Sequence, residues 1–203
     1  MRTAARRMGI TVAAGLLLSS ASFGYYHFVH YLTRTSPFVP VYEKFDLNAL
    51  PGNTVQFRIS DQAPVQLAPN DTLPGVYSQI RTAARVWNGV ESSDLRIAFG
   101  GIGSIGAPQT TPAIDVIFDE VPPGLVAMGA PTVRSDFAAG PNGLFVPIVR
   151  SVLVLRSDLS AQPASYSESF FLTLVHEFGH TLGLQHTLTS STFFTFLRNF
   201  ISS

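Results

Sequence analysis

Three histidines and one glutamate near the end of the sequence have the spacing of a metal centre. Residues 176–187 read HEFGHTLGLQHT. His176 and His180 are four residues apart, so on a helix both imidazoles project from one face, about one turn apart. Two nitrogens placed in this way can reach one ion at the Zn–N distance of about 2.0–2.1 Å. The pattern therefore predicts a zinc site that is built on a helix.

The residues around this pair supply the other parts of a catalytic site. Gly183 is suited to end the helix in a left-handed conformation and to turn the chain, so that His186 can return as the third ligand. Three protein ligands leave the fourth position open for water and substrate, as in catalytic zinc sites. Glu177 lies beside the first ligand and can accept a proton from an attacking water, then deliver it to a leaving amine. A metal site that has lost its activity is the alternative interpretation.

Composition narrows the chemistry that this site can use. The 203 residues include five histidines and no cysteine, which excludes disulfides, Cys-ligated zinc and a thiol nucleophile. The 13 basic and 13 acidic residues give a net charge of zero, so the sequence lacks the excess of positive charge that is typical of nucleic-acid-binding proteins. Length and a hydrophobic content of 46% predict one globular domain with a targeting segment. We expect a monomer.

The N-terminus has the pattern of an export signal. Arg2, Arg6 and Arg7 precede the apolar run Ile10–Leu18, and small residues follow it. This order predicts a signal peptide over residues 1–24 and a secreted or extracytoplasmic protein. An uncleaved anchor over residues 10–29 is the alternative, because apolar residues continue past the small ones. We expect a membrane partner only in that case.

The elements that must position the histidines can be predicted from hydrophobic periodicity. Residues 25–54 contain three prolines and are predicted to form an extended lead-in. Residues 55–60 alternate apolar and polar side chains, which indicates a half-buried strand. Ile80, Ala83, Ala84 and Trp87 share one face of a predicted helix over residues 76–89.

Four apolar, β-rich segments follow the first predicted helix. They cover residues 95–99, 113–118, 125–133 and 146–155, and a turn is predicted at residues 140–143. A second helix is predicted to begin near Ser165, which has capping-box spacing with Glu168. The order is therefore strand, helix, four strands and helix, which predicts an α+β fold.

The motif HExxHxxGxxH resembles the zinc signature of the metzincin metalloproteases, and the segment 55–187 is most similar to their matrixin-like branch. The resemblance implies a zincin catalytic domain over residues 55–187, with a twisted, mixed five-stranded sheet and two long helices. It implies that His176, His180 and His186 bind Zn²⁺ and that Glu177 is the general base. The substrate would be a peptide or protein.

The resemblance also implies that the fourth strand is an antiparallel edge strand lining the cleft. Its free backbone groups would pair with an extended peptide substrate. The residues assigned to this role are Val126, Ala127, Met128, Gly129 and Ala130.

Two features depart from the metzincin pattern. Metzincins carry a methionine turn after the third histidine, but no methionine follows His186 in this sequence, and we expect the C-terminal subdomain to be largely missing. Residues 188–203 form an atypical, phenylalanine-rich tail. One hypothesis is a short helix that packs under the site. The other is a truncated or frame-shifted tail, which would leave a catalytically impaired, zinc-binding module that still binds peptides.

Calcium is a second candidate cofactor, because matrixin-like proteins commonly bind it. The candidate ligands are Asp115, Asp119, Glu120 and Asp136. No loop of the EF-hand type surrounds them, and solvated loop acids are the simpler interpretation.

Overall fold

The computed structural model describes residues 26–106 and 110–186. In these ranges the chain forms the following elements: β1 (Tyr26–His27), β2 (Val29–Tyr31), β3 (Pro40–Lys44), β4 (Thr54–Ser60), α1 (Leu73–Val86), β5 (Arg96–Gly103), β6 (Ala113–Asp119), β7 (Ala127–Val133), β8 (Ala138–Gly140), β9 (Gly143–Arg156), α2 (Glu168–Thr181) and β10 (Leu184–Gln185). The predicted signal peptide and the tail 188–203 lie outside the described residues.

One mixed sheet forms the framework of the molecule. Its strand order is β2-β3-β9-β6-β4-β5, with β7 and β8 also paired to β9. The pairs within β3-β9-β6-β4-β5 are parallel, whereas β7 and β8 run antiparallel to β9 and β2 runs antiparallel to β3. A separate antiparallel ladder joins β1 to β10. One mixed sheet with two helices is consistent with an α+β fold in general.

The first helix begins three residues before its predicted start. Thr72 caps α1, because its side chain accepts a hydrogen bond from the Gly75 amide at 3.1 Å. The predicted apolar face is confirmed, since Ile80, Ala83 and Ala84 are all buried. A short 3-10 turn, Trp87–Gly89, follows the helix.

The second helix begins later than predicted. Ser167 caps α2 and accepts a hydrogen bond from the Phe170 amide at 3.2 Å. The prediction that Ser165 caps this helix is wrong. Its amide and hydroxyl instead both donate to the Asp71 carboxylate at 2.6 Å, which connects the loop before α2 to the start of α1.

Contacts from three directions fix the position of α2. Phe178 packs edge-on against Phe57 of β4, with the ring centroids 5.6 Å apart in the core. The Trp87 indole donates to the Val175 carbonyl at 3.0 Å, and the Ser151 hydroxyl of β9 donates to the Thr181 carbonyl at 2.6 Å. Both ends of the motif-bearing part of α2 are therefore held by other elements.

Residues 26–54, within the segment predicted to be an extended lead-in, form three short strands and two 3-10 turns, Leu47–Ala49 and Pro51–Asn53. They supply β3 to the main sheet and β1 to the ladder with β10. Tyr26 to Val29, the end of the alternative anchor, lie in or between two short strands. No helix in the described part of the chain has the length and hydrophobicity that a membrane span requires.

The predicted turn at residues 140–143 is confirmed as the connection of a hairpin. Gly140 pairs with Gly143, and the latter has a φ of 103°. The extra strand β8 lies just before this turn, so β9 begins at Gly143 and is longer than predicted.

Candidate metal centre

The three motif histidines converge on one point. His176 and His180 project from α2, and His186 follows β10. Their Nε2 atoms are separated by 2.9 Å (His176 to His186) and by 3.0 Å (His180 to each of the others). These three side chains could hold a metal ion, and no other group of three His, Asp or Glu side chains among residues 26–106 and 110–186 is arranged to do so.

Gly183 makes the turn that brings the third histidine to the other two. Its φ is 89°, which confirms the predicted left-handed conformation. Its amide donates to the His180 carbonyl at 3.0 Å, as in a helix C-terminus. A Cβ at this position would lie 2.7 Å from the Glu43 carbonyl oxygen of β3. Glycine is therefore required here for two reasons: the positive φ, and the lack of room for a Cβ beside β3.

Phe28, which lies between β1 and β2, also holds this turn in place. The Phe28 amide donates to the Gly183 carbonyl, and the Glu43 amide donates to the Phe28 carbonyl, both at 2.9 Å. The Phe28 ring lies 6.3 Å from the His180 ring. Sequence reasoning missed Phe28, since no local pattern indicates that a residue so far from the motif would contact it.

A backbone hydrogen bond sets the tautomer of His180. Its Nδ1 lies 2.7 Å from the Leu184 carbonyl oxygen, which can only accept. The proton of the neutral imidazole is therefore on Nδ1, and Nε2 presents its lone pair to the other two histidines. Hydrogen bonds of this kind orient a histidine and raise its basicity as a metal ligand.

The surroundings of His176 and His180 keep both imidazoles neutral. Burial, reinforced by the nearby His180 and His186, lowers the pKa of His176 to about 3. Burial also lowers the pKa of His180. A histidine must be deprotonated to bind a metal, so at neutral pH these two are ready as ligands.

The donor set fits a divalent transition metal. A tetrahedral zinc ion with Zn–N distances of about 2.0–2.1 Å would space its nitrogen ligands about 3.3 Å apart, close to the observed spacing. Imidazole nitrogens suit zinc, copper, iron and nickel alike. The three histidines could therefore hold a metal ion, and their chemistry does not select one metal.

Glu177 follows His176 on α2 and is mostly buried. Only 9% of the residue is exposed, and burial raises the pKa of its carboxyl to about 7. The Gly129 amide of β7 donates a hydrogen bond to Oε2 at 2.6 Å. This hydrogen bond lowers the pKa of Glu177, but its effect is smaller than that of burial. A carboxyl with a pKa near neutrality can both accept and donate a proton.

Gly129 allows β7 and α2 to approach each other at this point. A Cβ on Gly129 would lie 2.2 Å from the Glu177 carbonyl oxygen and 3.2 Å from the Cβ of His180. Sequence reasoning placed Gly129 among peptide-binding residues and did not predict that its amide holds Glu177. A glycine within a strand does indicate a close backbone approach, and this signal was available.

The predicted edge strand is at an edge in the structure. Among the described strands, β7 pairs with β9 alone and runs antiparallel to it. The Val126 carbonyl accepts from the Arg156 amide at the end of β9, so it points into the sheet. The backbone N–H and C=O groups of successive residues point to opposite sides of a strand. Those of Met128 and Ala130 therefore also point towards β9, whereas those of Ala127 and Gly129 point to the free edge. The peptide-binding role of these residues stays a prediction.

The four candidate calcium ligands do not form a site together. Asp115 is buried and pairs with Arg150, whereas Asp136 pairs with Arg134 at 2.6 Å. Asp119 accepts from the Glu120 amide at 2.7 Å. Within the described residues, none of the four belongs to a group of three metal-binding side chains.

No protein family model matches the chain, and no curated protein matches it.

Proposed function

We propose that this protein is a zinc-dependent endopeptidase that hydrolyses peptide bonds. The observation that carries the proposal is the convergence of three imidazole Nε2 atoms within 3.0 Å, on a helix in which the residue after His176 is Glu177, a buried carboxyl with a raised pKa. Three nitrogen ligands with a neighbouring general base are the parts of a hydrolytic zinc site.

The proposed role of Glu177 is to move one proton. A zinc ion bound by His176, His180 and His186 would supply Lewis-acid polarisation of the scissile carbonyl and of the attacking water. Glu177 accepts a proton from the water as its oxygen bonds to the carbonyl carbon. It then donates that proton to the amide nitrogen as the C–N bond breaks, and it returns to its starting state.

The free edge of β7 is the proposed binding site for the substrate backbone. An extended peptide would add as a strand beside Ala127 and Gly129, whose outward groups have no partner strand among the described residues. The Gly129 amide already donates to Glu177. The peptide would therefore use the Gly129 carbonyl and the backbone groups of Ala127.

The metzincin assignment and the exported location are parts of the same proposal. The HExxHxxGxxH motif, the left-handed Gly183 and the antiparallel edge strand support a matrixin-like zincin. The basic and apolar N-terminus supports export. A zinc-stabilised module that binds peptides without cleaving them is the second candidate, because the triad and the free edge of β7 could bind zinc and a peptide whether or not Glu177 transfers a proton.

A pair of glutamate variants tests the proposal. The zinc-loaded chain is assayed on casein and on a peptide library, beside Glu177→Gln. The control is Glu168→Gln, which changes an exposed glutamate in the first turn of the same helix. Loss of a general base typically costs about 10²–10⁴-fold in rate. We expect that loss in Glu177→Gln and wild-type activity in the control.

The outcomes separate the two candidate functions. Equal activity in Glu177→Gln and wild type would refute the endopeptidase mechanism. Zinc and peptide binding without turnover in wild type would establish the binding module instead.

A further inference from the structure

A hairpin near the N-terminus projects from the body of the protein. It consists of β2, the connecting loop and the first residue of β3, and we call residues 29–40 the projecting hairpin. Leu32 extends the pairing, since its amide donates to the Val39 carbonyl at 3.1 Å. All twelve residues of the hairpin are exposed. Neither of its faces is therefore covered by the rest of the described structure.

The projecting hairpin carries an unusual amount of exposed apolar surface. Phe38 is 59% exposed and Tyr31 is 53% exposed, and their rings contact each other with centroids 5.7 Å apart. Val29, Leu32 and Val39 add aliphatic surface that is also exposed. Contiguous apolar patches of this kind mark a surface that binds a partner or a membrane.

The distribution of charge indicates which partner this is. Residues 29–42 contain Arg34 and no acidic residue, and the next carboxylate, Glu43, pairs with His30 of the hairpin at 2.8 Å. Arg34 lies within the loop of the hairpin itself. An exposed apolar surface that carries an arginine, and whose neighbouring carboxylate is paired with a histidine, complements an anionic lipid surface.

The residue types on the hairpin suit the same partner. Tyrosine is favoured at the membrane interface, where its ring is apolar and its hydroxyl is solvated. Arginine can extend from apolar surroundings to the lipid headgroups.

We propose that the projecting hairpin docks on an anionic lipid bilayer. Phe38, Leu32 and Val39 enter the interfacial region, and Arg34 contacts the headgroups. The hairpin begins directly after Phe28, whose ring lies 6.3 Å from the His180 ring. Docking therefore holds the candidate metal centre close to the membrane surface. This proposal does not depend on the endopeptidase proposal.

The test uses the full chain with a tryptophan reporter on the hairpin. Phe38→Trp is compared with Val65→Trp, which places the same reporter at a site that is 83% exposed and outside the hairpin. Trp87 is a constant background in both chains. Vesicles contain brominated phosphatidylcholine, with or without phosphatidylglycerol. We expect quenching and a blue shift of Trp emission for Phe38→Trp on anionic vesicles, and neither for Val65→Trp.

Further substitutions in the Phe38→Trp chain test the contacts. Leu32→Ser with Val39→Ser removes two apolar side chains, which should lower the ratio of docked to undocked hairpin by at least about tenfold. Arg34→Glu should reduce quenching on anionic vesicles. The control is Ile102→Ser, which changes an exposed apolar residue of β5 and should leave quenching unchanged.

Two results would overturn the proposal. One is equal quenching of the reporters at positions 38 and 65. The other is vesicle-independent burial of the position-38 reporter that rises with protein concentration, which would assign the hairpin to an interface between two copies of the chain.

Discussion

Replacing Gly129 with alanine should force β7 and α2 apart at the candidate metal centre. The added Cβ would lie 2.2 Å from the Glu177 carbonyl oxygen, a backbone atom that cannot rotate away. That separation is about 1 Å less than ordinary van der Waals contact, so one of the two elements must move by a comparable distance. Such overpacking in a buried contact typically costs about 1–3 kcal/mol of stability.

The same displacement should disturb the chemistry of the site. It lengthens the 2.6 Å hydrogen bond between the Gly129 amide and Oε2 of Glu177. A misplacement of about 1 Å can cost about 10²-fold in rate when a reacting group must be oriented. We therefore expect Gly129→Ala to lose both stability and any Glu177-dependent activity.

Urea unfolding of Gly129→Ala measures the loss of stability, and the casein assay of the zinc-loaded variant measures the loss of activity. The matched control is Gly103→Ala, because Gly103 is also in a strand and a Cβ there would meet nothing within 4 Å. We expect the control to behave as wild type. If the free energy of unfolding falls equally in both variants, the close approach of β7 and α2 does not determine the stability of the site.

Two further predictions concern the third ligand and pH. Gly183→Ala should cost about 1–3 kcal/mol and weaken zinc binding, because the residue has a φ of 89° and an added Cβ would lie 2.7 Å from the Glu43 carbonyl oxygen. Titration calorimetry measures the affinity. Unchanged affinity would show that His186 does not depend on this turn. In the metal-free protein, His176 has a pKa of about 3, so the unfolded chain binds the proton first and the folded state loses stability as pH falls below 6.5. Glu177 has a pKa of about 7, so the folded state binds the proton first and gains stability as pH falls from 7 to 4.5. Urea unfolding between pH 7 and pH 4.5 should therefore show a steeper acid loss in Glu177→Gln than in wild type, and parallel profiles would contradict these assignments.

Local patterns predicted most of the elements that position the triad. The apolar face of α1 and the strand β4 follow directly from periodicity. Gly183 and the spacing of the histidines predicted both the turn and the convergence of the triad. These features depend on residues near one another in sequence, where propensity and side-chain direction act without tertiary context.

The errors arose where distant segments meet. Ser165 has the spacing of a cap, but the Asp71 carboxylate competes for its amide and hydroxyl, so Ser167 caps the helix. The segment 25–54 has no strong periodicity because β1, β2 and β3 are short. The roles of Phe28 and Gly129 depend on tertiary contacts that no local pattern records.

Zinc binding by single-histidine variants tests the central claim most directly. Isothermal titration with zinc is compared for wild type and for His176→Ala, His180→Ala and His186→Ala. The control is His30→Ala, since His30 pairs with Glu43 outside the triad. We predict one zinc ion per wild-type chain, with affinity unchanged in the control. Loss of any triad member should cost more than the roughly 10–100-fold typical of groups that only orient a ligand. Wild-type affinity in any of the three triad variants would contradict the account.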